Sequence, residues 1–216
     1  MKKQITVISG HYGSGKSEIA VNLAIQKKAD IIIDLDIVNP YFRTREAEEV
    51  LKTHNIEVVS SPLEKGKHAD LPYLSARMYA PFYNESLKAI YDLGGDGVGA
   101  KVFRQFEDFD TSSIDHFVVI NIFRELTSSK TKIVAMINQI EANSGIKVTG
   151  LINNTNLLRE TAFEDVLKGQ EIIREVSREL KLKIVYTTLL DQIKVDVNLL
   201  EGEVIPLKLY LRKTWL

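Results

Sequence analysis

The sequence predicts an α/β fold, with a mostly parallel central sheet and helices on both faces, on three observations. Short apolar runs alternate with longer runs of helical spacing along the chain, which is the pattern of βαβ units. The run Asp30-Ile31-Ile32-Ile33-Asp34-Leu35-Asp36 is apolar and β-branched between its acids, as a strand buried on both faces must be. An earlier run, Ile5-Thr6-Val7-Ile8, leads straight into the glycine-rich turn Gly10-His11-Tyr12-Gly13-Ser14-Gly15-Lys16-Ser17, and that turn opens a helix.

Taken in order, the first strand covers about 4–9, and the first helix starts near Lys16 and fades before Asp30. After the second strand, Asn39-Pro40 reads as an N-cap and first helical residue, with Ala47, Val50 and Leu51 on that helix's apolar face. Residues 56–60 form the third strand. Residues 61–85, with Pro62, Pro72, Pro81 and several tyrosines, read as a loop carrying one or two short helices. The fourth strand, 89–93, runs into Gly94-Gly95-Asp96-Gly97-Val98-Gly99. Its closely spaced glycines predict a mobile loop, with a helix following around 99–108. Strands at 117–122, 147–153 and 184–187 alternate with helices at 128–143 (Ile133, Ile137 and Ile140 inward) and 163–181 (Ile172, Ile173, Val176 and Leu180 inward). No repeat or linker interrupts the pattern, so residues 1–216 read as a single domain.

Composition narrows the function. Apolar residues make up 44% of the 216, enough for a sizeable core, and the net charge of −1 argues against a nucleic-acid binder with a dominant basic surface. With no cysteine, disulfides, iron–sulfur clusters and thiolate zinc sites are excluded within the chain. His11, His54, His68 and His116 show no ligand spacing. The start Met1-Lys2-Lys3 precedes an apolar run too short for a signal peptide, and no 18-residue apolar stretch exists, so a cytoplasmic protein is expected.

Gly10–Ser17 has the form GxxxxGK followed by Ser, and a strand before it with a helix after it is the context of a phosphate-binding P-loop. By composition alone the pattern arises in about 1% of chains this long. Gly10, Gly13 and Gly15 let backbone N–H groups of the loop, including those of His11, Tyr12 and Ser14, turn toward phosphate oxygens. The helix N-terminus adds orphan donors and partial positive charge. Lys16 is placed to reach the β- and γ-phosphates and the Ser17 hydroxyl to ligate Mg²⁺. The expected fold is therefore a three-layer P-loop NTPase fold.

In a parallel sheet ligands bind beyond the carboxyl ends of the strands, and acids arrive there from two of them. Asp34 and Asp36, two apart on extended chain, point to one side. Asp92-Leu93-Gly94-Gly95 fits a DxxG pattern, in which the acid holds the Mg²⁺ hydration shell and Gly95 offers its N–H to a γ-phosphate oxygen. Asp36 is the better candidate for orienting the attacking water or the Mg²⁺ shell, with Asp34 behind it. Lys16, Asp36 and Asp92 are thus the catalytic candidates, and Ser17, Asp36 and Asp92 the metal candidates. Asn154, after the 147–153 strand, can read a purine edge with one donor and one acceptor. Guanine selectivity normally wants an Asn-Lys-x-Asp arrangement. Asn153-Asn154-Thr155-Asn156 has no acid, which favours ATP.

These residues resemble the MinD/ParA-type (SIMIBI-class) P-loop ATPases of the CobQ/CobB/MinD/ParA nucleotide-binding family, relatives of the nitrogenase iron protein and of dethiobiotin and cobyrinate synthetases. Residues 9–24 match its opening, and Asp34–Asp36, Asp92–Gly95 and Asn154 follow in the order it uses for switch I, switch II and adenine recognition. The resemblance covers most of 4–190. It implies ATP and Mg²⁺ as ligands, a P-loop strand beside the Asp92 strand, and a homodimer with nucleotide at its interface. One departure stands out. MinD and ParA carry a signature lysine at the second motif position, reaching the partner's nucleotide, and this chain has His11 there and Tyr12 next to it. Either the contact is lost or another cation, Arg43 or Arg45, supplies it.

Residues 61–87 (Lys65, Lys67, His68, Asp70, Arg77, Tyr79, Tyr83) read either as a lid holding specificity or as a connector packed on the sheet. The tail from Pro206 to Leu216 is basic and amphipathic, with Leu207, Leu211 and Trp215 on one helical face. A helix docked back on the domain is preferred over a membrane anchor. The expected function is a Mg²⁺-dependent, slow ATPase acting as a switch or assembly factor on an unidentified partner. The alternative is a biosynthetic enzyme that activates a small carboxylate substrate with ATP. A chaperone that loads a cofactor or metal into a partner is a third reading, in which the lack of cysteine removes the usual metal carrier.

Overall fold

The computed structural model describes residues 4–36, 47–60, 74–95, 97–190 and 197–211. Eight strands form one sheet: β1 (Ile5–Ser9), β2 (Ile31–Asp34), β3 (Glu57–Ser60), β4 (Ala89–Asp92), β5 (Ile114–Ile120), β6 (Gly150–Asn153), β7 (Lys183–Leu190) and β8 (Glu203–Leu207). Their order is β3-β2-β4-β1-β5-β6-β7-β8, and every pairing is parallel. The helices are α1 (Lys16–Gln26), α2 (Glu48–Thr53), α3 (Ala80–Tyr83), α4 (Gly97–Lys101), α5 (Lys130–Ser144) and α6 (Phe163–Leu180).

Strand alternation divides the core between two faces. On β2, Ile32 packs in the cluster under α1 (with Ile19, Leu23 and Leu51), while Ile31 and Ile33 pack on the opposite face with Met78, Phe103 and Phe106. On β5, Phe117 and Val119 join the α1 side, and Val118 and Ile120 meet Ile133 and Ile137 of α5 and Ile173 and Val176 of α6. The cluster opposite α1 is aromatic: Phe106 lies 5.1 Å from Phe103, 5.0 Å from Phe82 and 5.7 Å from Tyr91, centroid to centroid. The Tyr91 hydroxyl donates to the Met78 carbonyl at 2.7 Å, so this large side chain is buried without stranding its polar end.

Four expectations are corrected. The glycine-rich 94–99 stretch is not a loop throughout, because α4 already begins at Gly97. Residues 147–149 lie outside β6, whereas β5 begins three residues before the predicted 117. An eighth strand exists where none was predicted: Pro206 disguises it, and the sheet tolerates that proline because β8 is an edge strand. The tail is not helical from 206 to 211. Leu207 ends β8, and residues 208–211 form an irregular strap along α1. Asn22 grips the strap through both amide ends, donating to the Lys208 carbonyl at 2.8 Å and accepting from its N–H at 2.9 Å. The Glu18 carboxylate accepts from the Tyr210 and Leu211 amides. The strap is therefore docked, as expected, but by backbone hydrogen bonds. Asn39-Pro40, Arg43, Arg45, Lys65, Lys67, His68, Asp70 and Trp215 lie outside the described residues. Ala47 and Leu51 are buried as predicted.

His116 on β5 is fully buried, 2.8 Å through Nε2 from the Ser9 hydroxyl, and burial pushes its pKa down to about 4 against a partly offsetting pull from Glu141. In the unfolded chain the imidazole titrates near 6.5. Between those values the unfolded chain binds the extra proton and the fold does not, so the His116 contribution is complete above pH 6.5 and is lost as pH falls toward 4. The expected loss is about 3 kcal/mol over that window. Urea unfolding at pH 7 and pH 4.5 should show it, and a His116→Gln variant should show a correspondingly flatter pH dependence.

Candidate nucleotide site

The β1–α1 turn is shaped by its own backbone. The Ser14 N–H closes a turn onto the His11 carbonyl at 3.0 Å, and Gly15, at φ 91°, caps α1 with no side-chain hydrogen bond. That left-handed conformation suits glycine, and a β-carbon on Gly15 would run into the Asn154 amide. The first amides of α1 have no intrahelical acceptors, so the positive end of an 11-residue helix points out of the turn. Lys16 and Ser17 are each 7% exposed, whereas Tyr12 projects outward at 53%.

Register delivers the acids. Asp92 pairs with Ile8 on one side and with Asp34 on the other, and the ladder continues upward through Leu93 N–H to the Ile8 carbonyl (2.8 Å) and Leu35 N–H to the Asp92 carbonyl (2.9 Å). Alternation puts Asp34, Asp36 and Asp92 on the α1 face, all of them buried. The Lys16 ammonium bonds the Asp36 carboxylate. Burial works against its charge, but Asp92, Asp36 and Asp34 together outweigh that penalty and hold its pKa above the ordinary lysine value. The Asp36 N–H donates back to Asp34 at 3.0 Å, which fixes the chain between the two acids. Gly95 sits directly on the P-loop: a side chain there would collide with the Gly10 carbonyl and crowd the His11 Cα.

On the other side of β1, the Asn154 amide donates to the Ser14 carbonyl at 2.6 Å. Its oxygen accepts from Thr188 Oγ1 at 2.6 Å and from Asn156 at 3.2 Å. Both lone pairs of that oxygen are in use, so Asn154 retains one N–H for a base and no acceptor. The donor-plus-acceptor reading of a purine edge is not the one this geometry offers. Sequence reasoning missed Arg124, whose Nε donates to the Gly13 carbonyl at 2.9 Å from the turn after β5. No motif marks it; only the β1–β5 adjacency brings it to the P-loop.

The donors suit Mg²⁺. Ser17, Asp36 and Asp92 supply hard oxygens beside the P-loop, and among the described residues no group of three or more His, Asp or Glu side chains could cage a metal. Mg²⁺ keeps several waters and takes one or two carboxylates plus substrate phosphates, so an open set of this kind fits it. A cavity of about 590 Å³ lies elsewhere, at the amino ends of the strands around Thr6, Phe117 and Tyr186. A much smaller cleft lies beside the P-loop, lined by Gly13, Asn121 and Arg124.

A parallel sheet whose P-loop strand lies between the DxxG strand and β5 defines the α/β fold of P-loop NTPases. No family model and no curated protein matches the chain. Among solved structures it is similar to the cell division protein FtsY of Thermotoga maritima (TM-score 0.55, 19% identity, covering 86% of this chain and 61% of that one). It is also similar to FtsY of Mycoplasma mycoides (0.51, 15%, 91% and 65%) and to the signal recognition particle receptor FtsY of Elizabethkingia anophelis (0.52, 14%, 94% and 61%). The chain thus spans less than two thirds of these proteins' length, and the likeness is one of fold. Among the described residues no helix is long and apolar enough to cross a membrane.

Removing the Asn154 side chain leaves the Ser14 carbonyl and the Thr188 hydroxyl without their buried partner. Asn154→Ala should cost about 1–3 kcal/mol in urea unfolding. Thr188→Val should cost clearly less in the Asn154→Ala background than alone, the signature of a shared contact.

Proposed function

We propose that this protein is a Mg²⁺-dependent ATP-binding protein and slow ATPase that works as a nucleotide-dependent switch or assembly factor of the MinD/ParA type. The observation that carries the reading is the buried Lys16 ammonium under the P-loop, among Asp34, Asp36 and Asp92, with Gly95 in contact with Gly10. Lys16 exchanges its Asp36 contact for phosphate oxygens, and the released Asp36 carboxylate orients the attacking water. Ser17 and Asp92 would hold Mg²⁺ and its waters, and the ion would supply charge neutralisation for the triphosphate. The Gly95 N–H senses the γ-phosphate, so the 92–95 turn changes position when that phosphate leaves. Asn154 keeps the P-loop in shape and offers its remaining N–H to the base. ATP is preferred because the Asn153–Asn156 stretch holds no acid to take the guanine protons.

The partner surface is the rim of the site. Tyr12 (53% exposed), Leu126 (51%) and Leu157 (43%) are large apolar side chains on the connections that follow β1, β5 and β6, at the carboxyl edge of the sheet. Such a rim suits a second copy of the chain, or a protein partner, closing over the nucleotide. His11 in place of the signature lysine favours a second reading, the synthetase that activates a small carboxylate, in which no cation crosses to a partner.

Turnover and mass in solution with ATP, ADP and no nucleotide decide between them. The switch predicts a slow basal rate and ATP-induced dimerisation; ADP formation only with an added small acid would replace it with the synthetase. Lys16→Ala should lose ATP binding at least tenfold, by about 1.4 kcal/mol or more. Asp36→Asn should retain binding while lowering turnover roughly a hundredfold or more, in the range of general-base losses.

A further inference from the structure

Asp34, Asp36 and Asp92 come from β2 and β4, on one side of the P-loop strand, so the metal-bearing end of a triphosphate belongs on that side. The nucleoside must leave over the opposite side, above β5 and β6. What the fold places there is a cleft lined by Gly13, Asn121, Arg124, Asn156 and Leu158.

The amides in this cleft are already engaged. Asn121 donates to the Asn156 carbonyl at 3.0 Å and accepts from the Phe123 N–H at 3.1 Å. Asn156 donates to the Asn154 carbonyl at 2.8 Å and accepts from the Leu158 N–H at 3.2 Å. Edge-reading groups for a base are therefore scarce. Arg124 is different. Its Nε is bound to the Gly13 carbonyl, but its terminal amino groups have no hydrogen-bond partner among the described residues. Its planar group lies along Gly13, with Nε, Cδ and Cζ 3.5–3.8 Å from where a Gly13 β-carbon would stand. The turn that carries it is tightly closed: Arg124 N–H to the Asn121 carbonyl (3.1 Å), Thr127 N–H to the Arg124 carbonyl (3.0 Å), and the Thr127 hydroxyl to the Asn121 carbonyl (2.6 Å). A guanidinium so held is a preorganised plane, and guanidinium planes stack on aromatic faces.

We infer that Arg124 is the nucleobase platform of this site, stacking on the purine while its Nε fixes the P-loop. Recognition is then by the face of the base more than by its edge. The inference rests on the P-loop reading above and adds a residue to it.

Calorimetry on the full chain with Mg·ATP and with Mg·tripolyphosphate, which has the phosphates and no base, tests it. Arg124→Lys keeps a cation able to reach the Gly13 carbonyl but has no plane. It should weaken ATP about tenfold, the usual worth of a base stack, and leave tripolyphosphate within roughly twofold. Arg124→Ala removes clamp and plane, and should weaken ATP more than tripolyphosphate. Equal losses for the two ligands, or an unchanged ATP affinity in Arg124→Lys, would overturn the platform and leave only a structural clamp. Wild-type protein that binds neither ligand would instead sink the P-loop reading itself.

Discussion

Lys16 is 7% exposed and charged, and three carboxylates surround it. A lone ammonium at such depth would shed its proton, and three lone carboxylates would repel one another. Each side of this arrangement makes the other tolerable. Removing one partner from a buried pair of this kind costs about 3–5 kcal/mol, because the remaining charge stays behind. The β1–β4–β2 side of the molecule is therefore committed to holding both signs of charge in one place. That commitment explains the ladder bonds that continue past the strand ends into the Leu93 and Leu35 amides. Without them the acids would sit on mobile ends and the lysine would lose its fixed counter-charges.

The opposite side of the P-loop is held by different means. Two successive carbonyls, of Gly13 and Ser14, are each gripped by one side chain, Arg124 from the end of β5 and Asn154 from the end of β6. Because a trans peptide sets its C=O and N–H in opposite directions, a carbonyl pulled outward turns the next amide inward. The geometry of the loop is thus imposed from outside by neighbouring strands. The C-terminal strap adds a third hold, since Glu18 and Asn22 tie residues 208–211 to the helix that the loop opens.

Much of this was legible in the sequence because it rests on local patterns. Gly10–Ser17, the Asp34/Asp36 spacing and Asp92–Gly95 are short motifs, and all of them converge on one edge of the sheet. What was illegible depends on partners distant in the chain. Arg124 is an unremarkable arginine until β5 pairs with β1, and Asn154's acceptor capacity looks free until Thr188 arrives from β7. β8 hid behind Pro206, whose cost is visible only once the strand is known to lie at an edge. The glycines at 94–99 misled for a related reason. Gly94 is needed for close packing, with Gly99 Cα 2.7 Å from where its β-carbon would be, so the helix starting at Gly97 depends on the very residues that discourage one.

The two sides also differ in how they can respond to a ligand. On the β5–β6 side, Asn121, Asn154, Asn156 and Thr188 are tied to one another and to the P-loop by hydrogen bonds, so these side chains cannot rearrange without leaving a buried group unpaired. On the β4–β2 side, the main hold on the site is electrostatic, and an incoming phosphate offers Lys16 an alternative to Asp36 of the same sign and greater charge. On the proposed reading a triphosphate would replace that contact without stranding the ammonium, and Asp36 and the 92–95 turn would then be released to take new positions. On the proposed reading, base binding on one wall and phosphate sensing on an exchangeable ion pair would be separated by the width of one strand. The proposed switch, which changes shape with nucleotide state while the nucleotide stays bound, would rely on that division.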